Sequence, residues 1–237
     1  MIKFADFDAL SFDCYGTLID WEYGIWNAMQ PFAARAGLEL VREEALVAFA
    51  ETESAAQAAT PTKLYPHLLE DLFPDLARRL GAETTADEAY DFGQSVLEWP
   101  AFPDSIEALG RLKQRYKLVI LSNVDVAGFI ASAKRLEVPF DYVFTAQEVG
   151  SYKPNPQNFE FMLRKLDGAG ITQRKLLHVA QSLFHDHQIA TTKGLATCWI
   201  DRREGTGWGA TKEIPNQPKT DWRFPSLKAF ADAVDAE

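Results

Sequence analysis

Two cysteines, Cys14 and Cys198, are all that this chain of 237 residues contains. That is too few for a disulfide framework and points to a reducing, cytoplasmic setting. No apolar run approaches the roughly 20 residues needed to cross a bilayer. The start, MIKFADFDALSFD, lacks the order of basic residues, apolar stretch and small-residue cleavage site found in a secretory leader. Positive charge is also short: 24 Lys and Arg against 34 Asp and Glu leave a formal net charge of −10. This balance argues against broad binding to nucleic acid or to an acidic membrane. An anionic small molecule stays possible as a ligand, because a pocket needs only a local positive field. The chain has no internal repeat and no low-complexity segment. Among its four histidines, His67, His178 and His187 read as structural, and no pair has a metal-site spacing.

What is present is ample apolar material, 47% of residues with 12% aromatic, enough for a sizeable core and a smaller module packed on it. Residues 9–14 are short, apolar and end at the turn signal Tyr15-Gly16-Thr17, the pattern of a buried strand that stops abruptly. From about 19 to 99 the pattern is helical. Apolar residues recur at helical spacing within 26–38, 43–57, 64–80 and 86–99, and no strand interrupts them. After Pro100 to Pro103, helical stretches (105–116, 127–136, 156–166, 187–195) alternate with apolar strands (118–121, 141–146, 176–180, 196–200). Strands alternating with helices imply a parallel sheet covered on both faces. The tail from about 202 to 225 reads as loop, followed by a short helix from Ser226. The expected fold class is α/β: a Rossmann-like parallel-sheet core, residues 1–18 and 100–237, with an inserted helical cap, residues 19–99.

Open parallel sheets bind ligands at the carboxyl ends of their strands. The first strand ends in Asp13-Cys14-Tyr15-Gly16-Thr17, the second in Ser122-Asn123. Tyr152-Lys153-Pro154 follows the third, and Gln181-Ser182-Leu183-Phe184-His185-Asp186 follows the fourth. Taken singly these are ordinary caps, turns and solvated side chains. Their occurrence at successive strand ends points to a site.

The string D-x-Y-G-T-L, then S-N, K-P and a terminal Asp, resembles the haloacid dehalogenase superfamily over about residues 8–20 and 100–200. Phosphatases of that superfamily carry a second Asp where this chain has Tyr15, and a metal-binding Asp where it has Gln181. Magnesium favours charged oxygen ligands, so the two losses together argue against phosphoryl transfer. Both fit the L-2-haloacid dehalogenase branch, which needs no metal or other cofactor. The resemblance implies that Asp13 is the nucleophile, oriented by Thr17 and kept ionised by Lys153. Asp186, with Lys153, would activate the hydrolytic water. Ser122 and the backbone N–H groups of Cys14 and Tyr15 would hold the carboxylate of a small halogenated acid, and Asn123 would donate to the halide. Dimerisation is a further implication.

The pattern of the branch departs in three places, with Leu183 for Asn, Phe159 for Tyr and His185 for an aromatic residue bordering the halide. His185 would then supply a donor to the leaving group or to the attacking water. Arg35 and Arg42 fall near the halide-binding arginine of the family cap but do not align with it. Trp21, Tyr23, Trp26 and aromatics near Tyr65 could face the pocket or the cap core. Two other reactions stay open: magnesium-dependent hydrolysis of a small phosphate ester, and opening of a strained C–N ring in a small amino acid by Asp13. A binding module without activity ranks last, since Asp13, Lys153 and Asp186 are all present.

Overall fold

The computed structural model describes residues 2–204, 206–207 and 209–237. Six strands form one parallel sheet: β1 (Ala9–Phe12), β2 (Lys117–Ser122), β3 (Tyr142–Thr145), β4 (Leu176–Ala180), β5 (Ala196–Ile200) and β6 (Trp222–Phe224), in the order β3-β2-β1-β4-β5-β6. The chain runs outward from β1 through β2 to β3, then crosses back to β4 on the other side. The strand order therefore reverses at β1, where this class of sheet opens a crevice at its carboxyl edge. Register places Phe12 beside both Ile120 and Val179, so the ends of β1, β2 and β4 lie level. All four residues of β1 and all five of β4 are buried, as a central parallel strand covered on both faces requires.

Between β1 and β2 comes no strand of the sheet, and the first four helices of that stretch are α1 (Trp21–Ala36), α2 (Arg42–Ala59), α3 (Tyr65–Leu80) and α4 (Ala86–Gln94). Asp20 caps α1 by accepting from the Tyr23 N–H. Thr85 and Glu88 form a reciprocal capping box on α4, which satisfies otherwise orphaned N–H groups. The helices meet through aromatic rings, with Phe73 stacked on Phe92 at 4.3 Å and edge-on to Phe32 at 5.4 Å. The α/β class with an inserted helical segment is thus as the sequence pattern implies.

The remaining helices, α5 (Ser105–Leu112), α6 (Val126–Leu136), α7 (Ala146–Val149), α8 (Pro156–Gly168), α9 (Gln188–Thr192) and α10 (Leu227–Asp235), belong to the sheet layers. The tail differs from the loop expected over 202–225, in which Gly205 and Trp208 lie outside the described residues. It contains β6, whose three residues extend the sheet beside Cys198, Trp199 and Ile200. Its sequence is too short for a period-2 signal, and its edge position leaves Trp222 and Phe224 only half-buried. The same tail ties the insert to the sheet. Arg203 pairs with Glu22 of α1 and Glu43 of α2, and the N–H groups of Gly209 and Ala210 donate to those two carboxylates. Among the described residues, no helix is long and apolar enough to cross a membrane.

Where the insert returns to the sheet, the buried Trp99 indole lies on Gly24 of α1, and a Cβ there would overlap its ring. Gly110 of α5 has nothing within 4 Å of such a Cβ. Gly24→Ala is expected to lower unfolding stability by about 1–3 kcal/mol through overpacking. Gly110→Ala should be neutral or stabilising by up to about 1 kcal/mol. Urea denaturation of both variants checks the contrast.

Candidate active site

Asp13 follows β1 directly, held by its N–H donating to the Val179 carbonyl at 3.2 Å. The chain then turns at Gly16, whose φ of 90° is a left-handed conformation that suits glycine. A Cβ there would also lie 2.9 Å from the Trp21 indole nitrogen. The turn brings the Thr17 hydroxyl back to donate to Asp13 Oδ2 at 3.0 Å, while its oxygen accepts from the Gln181 N–H at 2.8 Å. Arg202 holds the turn from behind, donating to the Thr17 carbonyl and pairing with Asp104. Among the described residues, the N–H groups of Cys14 and Tyr15 donate to no backbone carbonyl.

Lys153 lies at the centre. It is 1% exposed, and its ammonium donates to Asp13 Oδ1 at 2.9 Å, Asp186 Oδ1 at 2.6 Å and the Leu121 carbonyl at 2.8 Å. All three protons are used. Burial alone would lower its pKa, but Asp13 and Asp186 outweigh that and raise it. Asp186 is held below the usual carboxylate range: Lys153 and a hydrogen bond from His178 overcome its burial. Asp13 is raised, chiefly by burial and secondarily by the negative Asp186, with Lys153 and Thr17 opposing.

Asp186 belongs to a π-helical turn, Leu183–His187, an arrangement common at functional sites. His178 sits in the middle of β4 and reaches Asp186 Oδ1 at 3.1 Å through Nε2. Its Nδ1 meets the Ser11 hydroxyl of the neighbouring strand at 2.9 Å. A relay Ser11, His178, Asp186, Lys153 therefore runs from inside the sheet to Asp13. The Ser182 oxygen accepts from the His185 N–H at 2.9 Å, leaving its hydroxyl proton for His185 Nδ1 at 3.2 Å. That assignment puts the imidazole proton on Nε2, which is buried with no partner among the described residues. Burial lowers the His185 pKa to about 4, so the ring is a neutral donor at neutral pH.

Asn123 grips the backbone of Lys153. Its Nδ2 donates to the Lys153 carbonyl at 2.9 Å and its Oδ1 accepts from the Lys153 N–H at 2.7 Å. The side chain clamps the Lys153 backbone, and its second N–H donates to Gln57 Oε1 at 3.4 Å. Ser122 ends β2 with a buried hydroxyl that has no partner among the described residues. Tyr15 is a wall: its hydroxyl bonds Ser132 at 2.8 Å and its ring is edge-on to Trp99. The Gln181 amide turns away to accept from Thr211 at 3.0 Å.

Asp13, Tyr15, Asn123, Lys153, His185 and Asp186 line one cavity enclosing about 30 Å³, with Trp21, Glu53, Gln57 and Tyr65 contributed by the insert. A second cavity, of about 370 Å³, shares Gln57, Lys153 and His185 with it and carries Lys212 on its wall. Glu53 is 2% exposed and accepts from the Tyr65 hydroxyl at 2.6 Å. Burial raises its pKa to about 7. Sequence reasoning missed Glu53 and Gln57, yet a signal was present. Leu46, Phe49 and Ala50 define the buried stripe of α2, and Glu53 and Gln57 continue it at the spacing where apolar residues belong. Arg35 is accounted for by Glu88 and the Glu83 carbonyl. Neither it nor Arg42 lines the cavity, and Tyr23 is exposed.

The family model for haloacid dehalogenase-like hydrolases matches residues 7–179. The chain is 27% identical over 231 residues to the (S)-2-haloacid dehalogenase of Pseudomonas sp. (strain YL), covering 95% of this chain and 94% of that protein. It superposes on the defluorinating L-2-haloacid dehalogenase Rha0230 with a TM-score of 0.76, at 24% identity and 99% coverage of both chains. The L-2-haloacid dehalogenase from Xanthobacter autotrophicus gives 0.77 at 19% identity, covering 97% of this chain and 98% of that one. The chain belongs to the haloacid dehalogenase-like hydrolase family, and its likeness within that family runs to the L-2-haloacid dehalogenases.

Because Glu53 rises from 4.5 to about 7 on folding, the folded chain keeps its proton where the unfolded chain has lost it. Its contribution to stability is complete below about pH 4.5 and disappears as pH rises through about 7, a change of about 2–3 kcal/mol. Urea midpoints between pH 5 and 8 should fall more steeply for the wild type than for Glu53→Gln. Equal slopes would mean that Glu53 ionises as freely as an exposed carboxylate.

Proposed function

We propose that this chain hydrolyses small 2-haloacids, of the haloacetate and 2-halopropionate type, through an ester on Asp13. The observation that carries this reading is the buried Lys153 ammonium bonded to both Asp13 and Asp186 beneath a wall formed by Tyr15. An Asp13 carboxylate oxygen attacks the halogen-bearing carbon. A C–O bond forms, the C–X bond breaks, and its electron pair leaves with the halide. Lys153 and Thr17 orient the nucleophile and oppose its protonation. The free N–H groups of Cys14 and Tyr15, with the Ser122 hydroxyl, receive the substrate carboxylate. His185 Nε2–H faces the departing halide.

Water then attacks the ester carbonyl carbon of Asp13. Asp186 Oδ2, buried and without a partner among the described residues, takes the water proton and passes it to solvent. The ester C–O bond on the Asp13 side breaks and the departing alkoxide oxygen takes the remaining proton of that water, which restores the Asp13 carboxylate and frees the 2-hydroxyacid. The single displacement at the substrate carbon inverts it. Halide leaves as an anion without a proton, so Tyr15 at the acid position costs nothing. The inner cavity has room for about one water and much less than a haloacid needs. Helices α1–α4 therefore act as a cap that opens to admit substrate and closes to exclude bulk water.

The residues present do not suit a magnesium ion. Lys153 claims one oxygen of each carboxylate, and the neutral Gln181 side chain points to Thr211, whereas that ion favours charged oxygen ligands. Among the described residues the phosphatase alternative is accordingly not favoured.

Halide release from fluoroacetate, chloroacetate and each enantiomer of 2-chloropropionate, with chelator present, tests the proposal. Release that survives chelation and vanishes in Asp13→Asn is the expected result. Phosphate release from small esters that needs magnesium, with no halide from any acid, would overturn it.

A further inference from the structure

We propose that Glu53 selects substrates that carry an ammonium group beside the carboxylate, so that the preferred acids are small and zwitterionic. The inference deepens the haloacid reading of the site and rests on it.

The balance of charge in the closed cavity is the first argument. Its lining holds three carboxyl groups, Asp13, Glu53 and Asp186, against one ammonium, Lys153. No arginine is among the described lining residues. Lys153 has spent its three protons on Asp13, Asp186 and the Leu121 carbonyl, so it has none for Glu53. The other groups around Glu53 supply no positive charge: Tyr65 from α3, Tyr15 after β1, Tyr152 after α7, and the neutral His185. Among the described residues, Glu53 pairs with no cation and takes one hydrogen bond, from Tyr65. A plain haloacid would bring a further negative charge into this lining. An acid that also carries an ammonium brings the missing positive one.

Placement is the second argument. Glu53 projects from the helical insert, opposite the strand ends that receive the carboxylate and present Asp13. Two buried groups without partners, His185 Nε2 and Asp186 Oδ2, line the same cavity, which marks it as a place where a ligand completes the hydrogen bonding. A glutamate kept on the buried stripe of α2, where an apolar residue would pack at no electrostatic cost, is accounted for by a ligand cation. The Tyr65 hydroxyl, donating to one oxygen, orients the carboxylate and leaves its negative charge available.

Two acids that differ only by the ammonium test this: 2-chloropropionate and 3-amino-2-chloropropionate. Binding of each is measured calorimetrically near pH 7.5 to Asp13→Asn and to Asp13→Asn combined with Glu53→Gln. The amino acid should bind Asp13→Asn about tenfold or more tighter, the range of a charge-assisted hydrogen bond. Glu53→Gln, which keeps an oxygen for Tyr65, should erase that preference and leave 2-chloropropionate unchanged or tighter. A merely structural Glu53 would weaken both ligands together and leave their ratio unmoved, which would overturn the inference. Ligands bound equally by Asp13→Asn would overturn it too, with the haloacid reading intact. If neither binds and the wild type releases no chloride from either, the haloacid reading falls and the inference with it. The ratio of kcat/KM for chloride release, in the wild type and Glu53→Gln, reads the same preference without the Asp13 substitution.

Discussion

The Lys153 ammonium is the constraint to which the rest of the site adjusts. A buried cation is costly unless its hydrogen bonds and counter-charges are complete, and here they are completed by three separate elements: the end of β1, the end of β2 and the π-helical turn after β4. Each of those places follows from the sheet. Level strand ends at the point of reversal bring Asp13 and the Leu121 carbonyl side by side, and the π-helical turn lets Asp186 approach from the end of β4. Asn123 then holds the backbone of Lys153 through both ends of its amide. The arrangement keeps two carboxylates near one ammonium, which is what an ionised nucleophile beside a water-activating group requires.

Behind Asp186 the polar chain continues into the sheet through His178 to Ser11. These two occupy paired positions on adjacent strands where an apolar pair would pack more simply. Their presence is explained by Asp186: a carboxylate with 0% exposure needs donors on more than one side, and Lys153 reaches it from only one. The sheet interior is therefore part of the site. A histidine that reads in isolation as a core residue is the partner that keeps the Asp186 charge tolerable.

Much of this could be read from the sequence, and what could not has a physical reason. Strand ends are legible because a buried parallel strand is a continuous apolar run that stops where the chemistry begins, as at Asp13, Ser122 and Gln181. The convergence of Asp13, Lys153 and Asp186 follows from that topology. Side-chain direction does not, which is why the clamp of Asn123 on the Lys153 backbone is not legible in the sequence. His185 lines the cavity, but the tautomer that makes Nε2 a donor depends on Ser182, three residues earlier. The short strand β6 escaped notice because three residues at a sheet edge carry too little alternation. Glu53 and Gln57 were visible as polar breaks in the apolar stripe of α2, but a stripe acquires meaning only when the surface it faces is known.

The net charge of −10 and the proposed acidic substrate can be reconciled by position. An anion approaching through the outer cavity meets Lys212 on its wall and Lys153 at the boundary with the inner one. Over these few ångströms a local cation outweighs distant surface carboxylates, which salt screens beyond about 8 Å under physiological conditions. Inside, screening is lost and the local sum decides. There Lys153 is bonded to Asp13 and Asp186, so in the proposed reaction the substrate carboxylate would rely on neutral donors, namely N–H groups and a hydroxyl. Neutral donors bind an anion without adding a charge that would compete with Lys153 for Asp13. On the proposed reading Asp13 would thus keep its own cation while the substrate is held by dipoles, and neither anion would displace the other.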